Sequence, residues 1–337
     1  MPPAAKTAAF LLTKEEKVRT LTAIGMVLVL GLVGLARPTV IGITQIVDHP
    51  ALNATRQGIV DGLRAAGYLE GQNVQYIYLN AQGDFAVAVA IAQEFKARRV
   101  DLVISITTPS SQAIVQVFGG TATPVVFSAV TDPVRAGLTQ YPNVTGASDL
   151  IDVRSDLALL KALGARKVGM VYNPGETNSA VLTDMALKAA PDYGLTIVTA
   201  SVTGTADVLA AAQSLVGRVD AIYVTTDNTV ATALEAVVQV AQTAKIPFLM
   251  ADPTSLERGA LICTGFDYYD HGKLTAEIVV RILRGEKPSS IPFVRQAGTQ
   301  VLLNLDAAQA MGYVFPKAIV DRATAVLYGG RRLVKAE

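Results

Sequence analysis

The sequence predicts an α/β chain of two similar doubly wound parallel-sheet lobes, preceded by an apolar N-terminal segment. Three observations carry this reading. From residue 39 onward, short β-branched runs alternate with longer amphipathic ones, the pattern of strand–helix–strand units that build a parallel sheet. The alternation restarts near residue 167, after a segment that reads as a crossover. The 337 residues, 51% apolar and only 17% charged, suffice for two domains with real cores and exclude a disordered chain.

The N-terminal segment comes first. Residues 20–36 carry no charge and are almost wholly apolar, with Lys14, Lys17 and Arg19 just before them. This charged-then-apolar order is that of a secretory signal. The run ends in Gly34-Leu35-Ala36, small at both positions a signal peptidase reads. As a helix it spans about 25 Å, slightly short of a bilayer core, so residues 1–38 read as a signal peptide or an uncleaved N-terminal membrane anchor. Either sends the rest of the chain across the membrane. No cysteine follows the run, which excludes lipid attachment there.

In the first lobe, Thr39–Ile46 reads as a strand, 51–66 as a helix and 74–79 as a strand. Asp84 caps a helix through Val87, Ala88, Ile91 and Phe95, which recur at helical spacing. Strands come next at 101–106 and 124–130, with a helix over 109–117 between them. The stretch 146–166, with a helix at 155–163, reads as the crossover. The second lobe then offers strands at 167–172, 195–200, 220–224 and 246–250, and helices at 178–190, 206–216 and 228–244.

Every strand runs into polar residues. The first lobe's strands lead to Gln45, Asn80, Thr107-Thr108 and Ser128, and the second lobe's to Asn173, Ser201, Thr225-Thr226-Asp227 and Asp252. Open parallel sheets bind ligands beyond the carboxyl ends of their strands. Two such sheets facing each other pool these residues in one cleft. Thr107-Thr108-Pro109 also suits a plain helix start, or N–H groups there can hold a carboxylate. Ser128 to Thr131 is either an ordinary turn or a second hydroxyl-rich strand end beside it. Asn173 to Asn178 is denser in polar groups than its turn requires, and Glu176 is the residue that the turn leaves unexplained. Asp227-Asn228 opens a helix, yet its carboxylate also suits an ammonium group. Asp227→Ala is expected to weaken binding and leave the fold intact. Asp267 and Tyr268 lie in the chain's densest aromatic and acidic stretch, 266–270, and His49 closes the first strand–helix loop.

Several function classes are excluded or disfavoured. Beyond residue 38 the chain has 24 basic and 26 acidic residues, so no polyanion-binding stripe forms and nucleic acid is not an expected partner. One cysteine, Cys263, and two histidines, His49 and His271, give no basis for a metal centre. Phosphate loops, H-E-x-x-H and G-x-S-x-G are missing. No catalytic residue and no cofactor is expected, and an enzyme is disfavoured.

Six strings then carry a family resemblance: ITQIVDHPALNATRQG, VFSAVTDPVRAGL, NVTGASDL, YNPGETNS, YVTTDNTV and GFDYYDHGKLTAEIVVRIL, in that order along the chain. They resemble ABC-transporter substrate-binding proteins of the tryptophan/tyrosine type, over about residues 39–316. The resemblance implies a type I periplasmic binding-protein fold, with hinge crossovers and a closing cleft. It implies a first lobe of 39–147 plus about 265–290, and a second of 148–264 plus about 291–330. It also implies Thr107, Thr108, Ser128 and Thr131 at a ligand carboxylate, Glu176, Asp227 or Asp252 at its ammonium, and Tyr268 or His49 near its side chain. With Gln45, Asn173, Asn178, Asn228 and Asp267, these form the expected ligand-binding set.

The expected function is that of an exported, monomeric solute-binding protein on the periplasmic or extracytoplasmic face of the membrane. It takes a small zwitterionic solute, an aromatic or apolar amino acid, to an ABC permease and its ATPase. A membrane-anchored ligand sensor of the same fold, without a transport partner, is the alternative.

Overall fold

The computed structural model describes residues 37–335. The expected signal or anchor segment lies outside them. Among the described residues no helix is long and apolar enough to cross a membrane.

The first sheet begins with β1 (Thr39–Gln45), α1 (Pro50–Ala65), β2 (Val74–Asn80), α2 (Phe85–Ala97) and β3 (Leu102–Ile106). It continues through α3 (Thr108–Phe118), β4 (Val125–Ser128) and β5 (Val144–Ser148). A late strand, β11 (Val294–Arg295), joins its edge, giving the order β11-β5-β4-β3-β1-β2 with every pairing parallel. The central strand β3, Leu-Val-Ile-Ser-Ile, is buried along its whole length, as expected of a parallel strand covered on both faces.

The second sheet is built from α4 (Val153–Ala162), β6 (Lys167–Tyr172), α5 (Thr177–Ala189), β7 (Thr196–Ser201), α6 (Val208–Gln213) and β8 (Ala221–Val224). Next come α7 (Asn228–Thr232), α8 (Leu234–Ala244), β9 (Phe248–Met250) and β10 (Ile262–Gly265). The helix α9 (Tyr268–Leu283) packs on the first sheet's core. The chain then returns through β12 (Gln300–Asn304), α10 (Leu305–Met311), α11 (Lys317–Arg322), β13 (Ala325–Tyr328) and β14 (Arg331–Val334). The order is β14-β13-β12-β10-β9-β8-β6-β7, parallel except at β10–β12 and β13–β14.

Three expectations need correction. Residues 144–148 form a strand inside the first sheet, paired to β4, where the expected crossover began at 146. The run Val-Thr-Gly-Ala-Ser is too short and too polar to announce itself, and its Gly146 is required by packing, since a Cβ there would meet the Phe127 carbonyl oxygen at 2.0 Å. The expected helix over 228–244 breaks at Ala233 (φ −106°, ψ 32°) into α7 and α8. Ile291 is buried in the first core and Val294–Arg295 pair with β5, so the chain re-enters the second sheet at Gln300 rather than near 291.

Candidate functional site

Because both sheets are mainly parallel, their strand ends carry the loops that face each other. Polar contacts bridge them. Gln112 Nε2 donates to Thr177 Oγ1 at 3.1 Å, the Thr131 and Thr226 hydroxyls lie 3.5 Å apart, and Arg135 meets Asp184 at 3.5 Å. The lobes are closed on one another around a small cavity.

Its first-sheet wall comes from the loops after β1, β3, β4 and β5. Leu52 and His49 stand at the start of α1, Thr107 and Thr108 at the start of α3, Ala129 and Thr131 after β4, and Asp149 after β5. Two of these turns are strained. Thr107 has φ +91° and Ala129 has φ +52°, the left-handed region that non-glycine residues enter at a cost of about 1–2 kcal/mol. The strained turn at Thr107 leads straight into the first turn of α3, whose early N–H groups have no carbonyl partner within the helix. The Thr108 hydroxyl beside them is buried and has no hydrogen-bond partner.

The second-sheet wall is Asn178 from α5, Thr226, Asp227, Asn228 and Ala231 after β8, and Met250 and Asp252 after β9. Tyr268, at the start of α9, closes one end. Its ring packs 5.2 Å from that of Phe266, and its hydroxyl donates to Asp149 Oδ2 at 3.2 Å. Among the described residues, no lysine or arginine lines the cavity.

Three buried carboxylates give the cavity its charge. Asp149, 3% exposed, accepts from the Thr131 and Tyr268 hydroxyls, and burial pushes its carboxyl up to about 6. Asp227 accepts from Val230 N at 2.8 Å, Asn173 N at 2.6 Å and Ser179 Oγ at 2.6 Å. Burial first, and the nearby Glu176 charge second, push it up to about 7. Asp252 caps the turn 253–255, accepting from Thr254 N, Thr254 Oγ1 and Ser255 Oγ. His49 is held below the ordinary histidine range by burial, against the opposing pull of Asp252, and its Nδ1 has no partner. The Asn178 Oδ1 is likewise buried and unpaired. Unpaired buried polar atoms are rare in folded proteins and call for an explanation. Here three of them border one cavity.

The expected set divides. His49, Thr107, Thr108, Thr131, Asn178, Asp227, Asn228, Asp252 and Tyr268 line the cavity. Five others do not, each for a visible reason. Gln45 spends its amide on Val47 O, Asp48 and Asn53 within its own loop. Ser128 turns its hydroxyl 2.7 Å from Thr275 on α9. Asp267 caps α9 through Tyr269 N and Asp270 N at the surface. Asn173 and Glu176 border the open groove at the cleft mouth. Glu176 accepts from both the N–H and the side chain of Asn228 and of Thr229, so it caps α7 and leaves no lone pair for a cleft ammonium. Sequence reasoning missed Asp149 and Met250, and named Thr226 as a strand end without placing it in the ligand set. The Asp149 signal was present in the NVTGASDL string, but without β5 no strand end pointed to it.

Fold and cleft together define a two-lobed solute-binding protein. A family model for ABC transporter substrate binding proteins matches residues 40–327, and the chain belongs to that family. The family consists of solute-binding proteins of ABC transporters, not enzymes. A tyrosine-binding protein of Clostridioides difficile is 34% identical over 279 residues, 80% of each chain. An ABC domain from Streptococcus pneumoniae, solved with L-Trp, is 31% identical, with a TM-score of 0.81 over 86% of this chain and 100% of that one. A ligand-free, open substrate-binding protein with adhesive properties from Clostridium difficile is 38% identical, yet its TM-score is only 0.63, over 83% of this chain and 96% of that one.

Proposed function

We propose that this chain captures an aromatic or apolar amino acid between its lobes and delivers it, on the extracytoplasmic side of the membrane, to the permease of an ABC importer. The observation that carries the ligand class is the division of charge in the cavity. Asp149, Asp227 and Asp252 offer negative charge, whereas the α3 start offers N–H groups and the unpaired Thr108 hydroxyl. An ammonium suits the first and a carboxylate the second. Neutral donors hold a carboxylate without the desolvation cost of a buried arginine. Leu52, Ala231, Met250 and the Tyr268 ring supply apolar and aromatic surface for the side chain. Of the expected ligand residues, Thr107 and Thr108 are retained toward the carboxylate, Asp227 and Asp252 toward the ammonium, and His49 and Tyr268 toward the side chain; Thr131, whose hydroxyl donates to Asp149, is not. Asp149 is added to the ammonium group. The named ligands of the two relatives, tyrosine and L-Trp, support the same class.

Calorimetric titration with L-Tyr, L-Trp, L-Phe, L-Leu and glucose tests the reading. Binding of at least one of the amino acids, abolished when its amino group is acetylated, is expected. Binding of glucose alone, or equal affinity for the acetylated amino acid, overturns it.

A further inference from the structure

Three chain segments cross between the two sheets: 149–152 after β5, 266–267 before α9, and 296–299 between β11 and β12. One side chain touches two of them and the end of β5. His271, in the first turn of α9, is fully buried. Its ring stacks on Phe266 at 5.6 Å, and the polar groups facing its Nδ1 are the Gln296 side chain and the Ala147 carbonyl. Its Nδ1 makes no hydrogen bond, and Gln296 Oε1 is also buried without one. The opposite edge of the ring belongs to the ligand cavity. Nε2 accepts from Ala129 N at 2.9 Å, and Ala129 is the strained, cavity-lining residue after β4.

We propose that His271 is a positioning residue that ties the Ala129 turn of the ligand cavity to the crossovers at Phe266 and Gln296 and to the end of β5, so that hinge movement sets the geometry of the site. The chemistry of the ring supports this. An imidazole whose Nε2 accepts must carry its proton on Nδ1, so the donor edge lies toward the crossovers while the acceptor edge lies on the ligand turn. A planar ring cannot rotate toward one set of partners without moving away from the other. The same helix turn holds the neighbouring residue as well. Thr275 contacts Ser128 Oγ at 2.7 Å and donates to the His271 carbonyl at 3.0 Å. The end of β4 is therefore clamped to α9 at two consecutive residues. Loss of the acceptor leaves the buried Ala129 N–H unpaired, and with it the reason for the left-handed turn.

The proposal rests on the cavity being the ligand site, and two readouts separate the fate of the one from the other. Spin labels at Val87→Cys and Leu209→Cys, one exposed on each lobe, report the ligand-free distribution of interlobe distances in the full chain. Calorimetry with L-Tyr or L-Trp reports affinity. His271→Leu is expected to shift the distance distribution and to weaken binding about tenfold or more, in the usual range of coupling between sites. His271→Gln, which restores an acceptor for Ala129 N and does not titrate, is expected to recover both. Gln296→Leu, at a half-buried position, is expected to shift the distribution with the fold intact, and stands in should His271→Leu not fold. An unshifted distribution in both His271→Leu and Gln296→Leu overturns the proposal, as does a His271→Gln chain impaired as badly as His271→Leu. If the wild type binds no amino acid, the ligand reading fails, and the distance distributions still decide the role of His271.

Discussion

The hydroxyl of Thr131, after β4, lies 3.5 Å from that of Thr226, after β8. This pair belongs to the few polar contacts that hold the lobes together across the cleft, and at the limit of hydrogen-bond distance it contributes little. The Arg135–Asp184 ion pair is exposed and such pairs contribute about 0–1 kcal/mol. A closed state held by contacts this weak responds to whatever fills the cavity, because only a ligand that touches both lobes favours closure. The cavity offers that ligand neutral donors and carboxylates, and substitutions in each separate the two contributions.

Thr108 and Ser128 are both hydroxyls at adjacent strand ends, but only Thr108 leaves its oxygen unpaired at the cavity. Thr108→Val is expected to weaken amino-acid binding about tenfold, the effect of about 1.4 kcal/mol, with the melting temperature unchanged or raised. Ser128→Ala is expected to leave affinity within twofold and to lower stability by about 1 kcal/mol through the lost Thr275 contact. Calorimetry and thermal melting of the two variants check the contrast.

Asp227 does two jobs, which revises the expectation that its loss leaves the fold intact. Its carboxylate caps α7 through Val230 N and holds Asn173 N and Ser179. Asp227→Ala is therefore expected to cost about 1–3 kcal/mol of stability as well as affinity. Asp227→Asn keeps an acceptor for the cap and removes the charge. Its NH2 then faces a donor that the carboxylate accepted from, so it is expected to lose less stability than Asp227→Ala in urea unfolding while still binding an amino acid at least tenfold more weakly.

Burial holds Asp156 and Asp227 at about 7 and Asp149 at about 6 in the folded chain, against 3.8 ordinarily. Between these values the folded chain keeps protons that the unfolded chain has released, so stability falls as pH rises through about 4 to 7. The ligand-free protein is expected to melt at a higher temperature at pH 6.5 than at pH 8. Below about pH 6.5, within the same interval, His49 and His271, both held low by burial, oppose the trend. An ammonium ligand needs the carboxylates charged, so affinity is expected to fall over the same interval in which stability rises. Melting curves and titrations at the two pH values test the opposite signs, and Asp227→Asn is expected to flatten both.

Gly58 on α1 and Gly272 on α9 let the two helices touch backbone to backbone. A Cβ at Gly272 would meet the Thr55 carbonyl oxygen at 2.1 Å, and one at Gly58 would meet the Tyr269 carbonyl oxygen at 2.0 Å. No flexible side chain can yield there. Gly272→Ala is expected to cost about 3 kcal/mol in urea unfolding. It is also expected to weaken ligand binding, because His49 is the N-cap residue of α1 and Tyr268 is the first residue of α9.

Local chemistry alone determined much of this protein. The β-branched runs, the amphipathic spacing and caps such as Asp84 and Asp227 act over a few residues, so the alternation of strand and helix is written along the chain. The polar strand ends arise from the same alternation, and they led to nine of the cavity-lining residues. Only tertiary structure decided where each polar group points. Ser128 is matched by Thr275, 147 residues later, and Glu176 by Asn228, 52 residues later. Asp149 reaches the cavity because Val144–Ser148 pairs beside β4, an edge that no local propensity marks. A side chain's direction is set by partners that approach it through folding, and those partners are not its neighbours in sequence.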